Sequence, residues 1–310
     1  MSGTIAIIGL SKSYGDICAV NNISLKVESG ELFGLIGPDG AGKTTTMRTL
    51  CTLLNCETGE LIVDGLDVRK DIVGIRAILG YMPQRFSLYP DLTVAQNLNF
   101  FADLFGVSRA EKSIRLQQLY NFSKLEPFKN RLASALSGGM KQKLALSCTL
   151  IHTPKILVLD EPTTGVDPVS RREFWNILRQ LKAEGVTILV STPYMDEAEL
   201  CDRVAFMYNG KILATDKPGN LHQYFPNFLY EATGADQRAL STFFKENTPA
   251  ESVQIFGDRL HVSFKHELKS AEIREMRGRA PFGIPKMQKI EPSVEDTFLA
   301  LMKTAENKIE

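Results

Sequence analysis

Several clusters along the chain have residue types and spacings suited to nucleotide chemistry. Gly37-Pro38-Asp39-Gly40-Ala41-Gly42-Lys43-Thr44-Thr45 fits the G-x-x-x-x-G-K-[ST] pattern of a phosphate-binding loop. Its glycines let backbone N–H groups turn inward around an anion, and a helix starting behind it adds the positive end of its dipole. Lys43 would reach the β- and γ-phosphates of a nucleotide, and the Thr44 hydroxyl would ligate Mg²⁺. The acid pair Asp160-Glu161 closes the apolar run Ile156-Leu157-Val158-Leu159. A parallel strand that delivers a carboxylate to its C-terminal end sets it where ligands bind. Asp160 would hold Mg²⁺ directly or through water, and Glu161 would polarise a water for attack on the γ-phosphate. Taken alone, the pair also reads as helix-capping acids before Pro162; the phosphate loop is what favours the catalytic role. Leu136-Ser137-Gly138-Gly139-Met140-Lys141-Gln142 stands directly before a helical stretch. A hydroxyl, free N–H groups and a dipole end there make a second anion site. One nucleotide does not need two such sites in one chain, so the second is expected to serve the ATP of another subunit.

The elements that must hold these clusters follow from periodicity. Residues 32–36 read as a short buried strand and residues 45–54 as a helix, so the phosphate loop has the flanks its motif requires. Ile5-Ala6-Ile7-Ile8 and Ile23-Ser24-Leu25-Lys26-Val27 read as antiparallel strands, with Tyr14 between them. Residues 60–65 are a strand and turn, and residues 77–82 are a further strand ending at Pro83-Gln84. From 86 to 134 the pattern is helical, over 97–104 and 111–122, with Thr93 as an N-cap. A helix is expected over 142–150, another over 169–184, a strand over 186–190, and a helix from about Met195. Residues 204–207 and 211–214 read as a hairpin around Asn209-Gly210. After a break at 218–226 come a helix over 237–245, a strand pair around Gly257-Asp258, and helices over 267–277 and 294–302. The expected division is an α/β ATP-binding domain at 1–225, with a helical subdomain at about 86–150, and a small C-terminal α/β domain at 226–310.

At 310 residues the chain exceeds what one compact core usually holds, and 44% hydrophobic residues suffice for real cores. Lys+Arg and Asp+Glu both count 36, and the absence of a basic excess argues against a general nucleic-acid binder. The five cysteines, Cys18, Cys51, Cys56, Cys148 and Cys201, form no C-x-x-C pair and no metal spacing with the four histidines. Reduced thiols are the simplest reading, with Cys51 and Cys56 as a redox pair the alternative. No apolar run approaches a membrane span, and the N-terminal residues lack a basic stretch followed by an apolar one. No signal peptide or transmembrane segment is therefore expected, and any action at a membrane would go through a partner.

In their order along the chain, these motifs resemble those of ABC-type ATPase subunits, over about residues 4–217. Residues 37–45 match the family's Walker A, 136–142 its signature motif and 156–161 its Walker B. The resemblance implies a P-loop ABC ATPase fold: a RecA-like core with an antiparallel β subdomain and a helical subdomain. It implies ATP and Mg²⁺ as cofactors, bound by residues of the phosphate loop and closed by Ser137, Gly138 and Gly139 of a second ATPase subunit. Tyr14 would stack on adenine; by itself a hairpin tyrosine is an even alternative. Gln84 would touch Mg²⁺ and the attacking water, and Asp167 in Gly165-Val166-Asp167 would lie in the loop that crosses the dimer interface. An acid is also favourable there as a helix N-terminal residue. A narrower resemblance is to ATPase subunits of ABC-2 type exporters, including drug exporters, and closest to the first half of fused double-ATPase subunits. It rests on Tyr81-Met82-Pro83-Gln84, Asp91-Leu92-Thr93-Val94, Tyr194-Met195-Asp196-Glu197-Ala198-Glu199 and Glu291-Pro292-Ser293-Val294-Glu295-Asp296. It implies dimeric ATPases, homo- or heterodimeric, driving separate membrane permeases at the cytoplasmic face of the cell membrane. Residues 86–93 would face a permease helix, and the C-terminal domain would support dimerisation.

The chain departs from that pattern at two positions. Pro193, in Ser191-Thr192-Pro193-Tyr194, stands where the family usually has a switch histidine, and His152, His222, His261 and His266 lie elsewhere. Proline has no titratable group and no N–H. Asp39 stands where asparagine is common, and its carboxylate would repel a triphosphate unless it points outward. The preferred reading is an exporter ATPase in which Glu161 and Gln84 support slowed hydrolysis, paired with a more complete ATPase subunit. The alternative is an ATP-binding, largely non-hydrolytic subunit that completes a partner's site. A non-transport ABC protein is disfavoured by the neutral charge, the single ATPase unit and the short insert between Gln84 and Ser137.

Overall fold

The computed structural model describes residues 4–85, 88–234, 236–280 and 286–307, and begins with a hairpin. Strands β1 (Ile5–Tyr14) and β2 (Ile17–Val27) pair antiparallel and turn Ile5, Ile7, Leu10, Val20, Ile23 and Val27 inward. Alternating burial is what a sheet with one solvated face requires. Strand β3 (Leu32–Ile36) is buried at every position and leads through the glycine loop into helix α1 (Lys43–Leu50). Strand β4 (Thr58–Val63) pairs with β1, and β5 (Leu66–Asp67) with β4, giving the antiparallel sheet β2-β1-β4-β5.

Helix α2 (Ile72–Ile78) precedes strand β6 (Leu79–Met82). The strand expected over 77–82 therefore starts late, because Ala77 and Ile78 close α2. Ile75 and Ile78, three residues apart, pack on the core from one helical face. Helices α3 (Val94–Leu104), α4 (Arg109–Ser123) and α5 (Gly138–Leu150) make the helical region. Thr93 does cap α3: its hydroxyl accepts from Gln96 N at 3.2 Å, and the Gln96 side chain accepts from Thr93 N at 2.8 Å. Helix α5 starts at Gly138 rather than Gln142, because Ser137 caps it there. Phe86 and Ser87, expected to face a permease, lie outside the described residues.

Strand β7 (Ile156–Asp160), helix α6 (Pro168–Ala183) and strands β8 (Thr187–Thr192), β9 (Arg203–Tyr208) and β10 (Lys211–Asp216) follow. The larger sheet runs β10-β9-β3-β8-β7-β6, parallel except for β10 at its edge. Its inner strands β3, β7 and β8 are continuous buried runs, as parallel strands covered on both faces must be. The helix expected from about Met195 is the 3-10 segment Met195–Leu200.

The chain divides into compact units Met1–Pro218 and Gly219–Glu310, a division that falls earlier than 225/226. In the second unit, β11 (Phe228–Thr233), α7 (Gln237–Asn247), β12 (Ser252–Phe256), β13 (Arg259–Phe264), α8 (Ser270–Arg279) and β14 (Lys286–Lys289) precede α9 (Val294–Glu306). The antiparallel order β12-β13-β11-β14 is that of a split βαβ fold. Tyr230, Phe244, Leu260, Val262 and Phe264 fill its own core.

Candidate functional site

The phosphate loop is seated by its neighbours in the parallel sheet. Ile36 is in register with Thr192 of β8 and Phe206 of β9, and Gly37 N donates to Thr192 O at 3.3 Å. A Cβ on Gly37 would lie 2.1 Å from the Met207 carbonyl oxygen, so no side chain fits. Gly42 has φ +106°, and its Cβ would lie 2.4 Å from the Ala19 carbonyl oxygen. The helix α1 that follows has no side-chain cap and no acid in its first turn. Its free N–H groups and dipole end thus remain positive. A cleft of about 370 Å³ opens at this point, lined by Ala19, residues 39–45, Gln84 and Glu161.

Strand β7 delivers the carboxylates. Asp160 is fully buried; its Oδ1 accepts from Thr44 Oγ1 at 3.1 Å and from Ser191 Oγ at 2.8 Å. Its Oδ2 is buried with no hydrogen-bond partner. Burial pushes the Cys51 thiol far up, with the Asp160 charge adding to the effect. The same two causes, in the same order, push the Tyr81 hydroxyl up to about 12. A buried carboxylate oxygen without a partner, as Asp160 Oδ2 is, calls for a cation.

Glu161 takes φ +49°, in the left-handed region, where a non-glycine residue is strained. Its backbone N–H is held by the Ser191 hydroxyl at 3.0 Å and the Ser191 carbonyl at 3.2 Å. Glu161 Oε1 lies 3.1 Å from Lys43 Nζ, and Oε2 accepts from Gln84 Nε2 at 2.8 Å and Thr164 Oγ1 at 3.3 Å. Lys43, 3% exposed, also donates to the carbonyls of Gly37 at 2.7 Å and Pro38 at 2.9 Å. All three ammonium protons thus have acceptors, which is what lets this charge be buried.

The fold brings Lys43, Thr44, Asp160, Glu161 and Gln84 to one point and leaves other anticipated residues apart from it. Asp39 is exposed on the rim of the cleft. Tyr14 ends β1, is 48% exposed and does not line the cleft, whereas Ala19 does. Exposed Ser137 caps α5 by accepting from Met140 N at 3.3 Å. Gly139 packs against α6 so closely that a Cβ would lie 2.3 Å from Ser170 Oγ. Asp167 caps α6, accepting from Val169 N at 3.1 Å and Ser170 N at 2.9 Å, and the Ser170 hydrogen bonds, backbone first, hold its carboxyl below the usual range. Ser137, Gly138, Gly139 and Asp167 thus gather where α5 and α6 start. Sequence reasoning missed Ser191, which bonds both Asp160 and Glu161. Its only signal was its place near the end of an apolar run; the register Asp160↔Ser191 is what brings it in. The five cysteines are free, with Cys51 buried and Cys56 half-buried.

A parallel sheet with this strand order, a phosphate loop after β3 and paired acids after β7 is the core of a P-loop ATPase. The family model for the ABC transporter matches residues 20–164. The probable multidrug ABC transporter ATP-binding protein YbhF of Escherichia coli (strain K12) is 41% identical over 302 residues, covering 96% of this chain and 52% of that protein. The chain thus spans about half the length of that relative. The Nod factor export ATP-binding protein I of Rhizobium sp. (strain N33) is 37% identical over 300 residues, covering 96% of each chain. Among solved structures, an ATP-binding subunit of an ABC transporter superposes with TM-score 0.64 at 28% identity, covering 71% of this chain and 92% of that one. A dimeric ATP-binding cassette in a post-hydrolysis state, bound to ADP and Pi, superposes with TM-score 0.63 at 26% identity, covering 69% and 98%. The chain belongs to the ABC transporter ATP-binding protein family. Among the described residues no helix is long and apolar enough to cross a membrane.

Proposed function

We propose that the chain is the ATP-hydrolysing subunit of an ABC-2 type exporter, and that its own site is slow. The observation that carries hydrolysis is Glu161, held between Lys43 and Gln84 with one carboxylate oxygen on each. On this reading the α1 N-terminus and Lys43 bind the phosphates, Tyr14 stacks on adenine, and Glu161 takes the proton of a water that Gln84 orients. Residues 37–45 wrap the phosphates with backbone N–H groups. Thr44 Oγ1 and the unpartnered Asp160 Oδ2 suit Mg²⁺, with Gln84 beside them; bound there, the ion would neutralise charge on the β- and γ-phosphates. Ser137, Gly138, Gly139 and Asp167 would meet the ATP and interface of a second ATPase subunit, in a homo- or heterodimer.

Export is supported by the names of the relatives, one a multidrug transporter protein and one a Nod factor export protein. They speak against the non-transport reading. The partners would be ABC-2 type membrane permeases, with the chain at the cytoplasmic face of the cell membrane. The unit Gly219–Glu310 would support dimerisation as a separate C-terminal domain.

Pro193 favours slowness, and carries the second reading of a largely non-hydrolytic subunit. It follows Thr192, whose carbonyl accepts from Gly37 N, so it stands at the start of the phosphate loop with no proton to offer. The test is turnover by the purified chain and its Glu161→Gln and Pro193→His variants. Glu161→Gln should cut turnover by about 10²-fold or more with ATP binding kept, and Pro193→His should raise it roughly 10-fold. Ordinary wild-type rates that Pro193→His does not improve would overturn the slow site. No turnover in either the wild type or Pro193→His would favour the non-hydrolytic subunit.

A further inference from the structure

Three separate segments of the chain meet at one side-chain cluster around the buried Glu197. Arg171 lies one turn into α6, its N–H bonded to the Asp167 carbonyl at 2.9 Å. Its guanidinium sits 4.1 Å from the centre of the Tyr194 ring, and Tyr194 directly follows Pro193. Arg171 Nε is 3.6 Å from Glu197 Oε1, and Nη1 is 3.8 Å from Asp196 Oδ2. Glu197 is 1% exposed, and its Oε1 accepts from Thr163 Oγ1 at 2.8 Å. Thr163 sits in the loop from Glu161 to Asp167, pinned by Val166 N to Thr163 O at 3.2 Å and Thr164 N to Glu161 O at 3.3 Å. The cluster therefore reaches the carboxylate base, the segment behind Pro193 and the start of α6.

The cluster is also incompletely bonded. Glu197 Oε2 and Arg171 Nε are both buried without a hydrogen-bond partner. A buried carboxylate oxygen and a buried guanidinium N–H left open are costly. Arg171 Nε stands 3.6 Å from the other oxygen, Glu197 Oε1, and a shift of roughly 0.6 Å would turn that contact into a charge-assisted hydrogen bond. The planar guanidinium stacked on Tyr194 sets the direction of that shift, which a lysine could not do.

We propose that Arg171 is a positioning residue: stacked on Tyr194 and paired with Glu197, it couples the partner-facing start of α6 at Asp167 to the placement of Glu161. Docking of a second ATPase subunit at Asp167 closes the Arg171–Glu197 gap and, through Thr163, stiffens the loop that carries the base. The inference rests on the reading of the chain as an ATPase that works against a second subunit. It assigns to a brace behind the site part of the control over the base that Pro193 cannot supply.

The test compares the unaltered chain with Arg171→Met, Arg171→Lys and Glu197→Gln, each with Mg²⁺ and ATP. Turnover, KM, Tm and amide hydrogen exchange are read together. Arg171→Met should leave KM within about 2-fold and lower kcat about 10-fold, the scale of coupling through a packed contact. Exchange over 161–170 should accelerate by a similar factor while exchange in α1 stays as in the wild type. Arg171→Lys should behave like Arg171→Met, and joining Glu197→Gln to Arg171→Met should add little, since the two act as one unit. Unchanged kcat and unchanged exchange over 161–170 would overturn the proposal. So would a raised KM and lowered Tm with exchange accelerated throughout the unit, which marks a merely structural role. If the wild type does not hydrolyse ATP, the ATPase reading fails on that result, and exchange over 161–170 still decides the brace.

Discussion

Two glycine-bearing helix starts in this chain are built in opposite ways. At α1 the N-cap is Gly42, in the left-handed region at φ +106°, with no side-chain cap, and the first residue is the buried Lys43. At α5 the N-cap is Ser137, which satisfies the Met140 N–H itself and stands exposed. The first start leaves its donors open and surrounds them with a buried cation and buried acids, so it can hold a highly charged anion and act on it. The second is already partly satisfied and carries no charged group at its cap. It suits a lid that adds a hydroxyl and backbone N–H groups to an anion held by someone else. Packing differs in the same sense: Gly37 and Gly42 are closed in by carbonyl oxygens of β9 and β2, whereas Gly139 is closed in by Ser170 of α6.

The largest effect should come from breaking the charged cluster at α1. Lys43→Ala would leave the Glu161 carboxylate, only 5% exposed, without its 3.1 Å cation. Removal of one partner of a buried pair costs about 3–5 kcal/mol, so the nucleotide unit should melt markedly earlier. Adding Glu161→Gln should restore much of that Tm; no recovery would mean the charge pair is not what matters at α1.

At α5 the expected effect is steric and smaller. Gly139→Val would drive a side chain into Ser170 and should cost about 1–3 kcal/mol in chemical denaturation. ATP binding by the chain's own loop should survive, while ATP-driven pairing with a second ATPase subunit should weaken. Loss of ATP binding in this variant would erase the contrast between the two starts.

The smallest effect belongs to the exposed rim. Asp39→Asn should tighten ATP binding by no more than about 10-fold, with the gain fading as salt rises from 0.05 to 0.5 M. A gain that ignores salt would place the Asp39 carboxylate closer to the phosphates than its exposure implies.

How far the site was legible depended on the range of the contacts. The glycine loop, the apolar run ending in Asp160-Glu161 and the Ser-Gly-Gly helix start are local signals, each spanning about ten residues or fewer. The Thr93 cap was equally local and equally readable. The boundary of β6 was misread because apolar residues at 75, 78 and 79 serve a helix face first and a strand after it. Strands β11 and β14 went unseen: β14 is four residues with one buried side chain, too few to show alternation.

By itself, with the family resemblance marking Pro193 as standing where a histidine is usual, the sequence determined the kinds of groups available: a phosphate loop, two acids at a strand end and a second glycine-rich helix start. Those follow from residue type and short spacing, because a loop or a cap closes within one or two turns of chain. Only the tertiary structure decided which groups meet. Thr44 reaches Asp160 across 116 residues, and Gln84 reaches Glu161 across 77. Ser191 joins the acids, and Arg171 finds Tyr194 and Glu197, for the same reason. Parallel strands far apart in sequence pair in one register, and the burial of β3, β7 and β8 on both faces leaves their ends no other place to point.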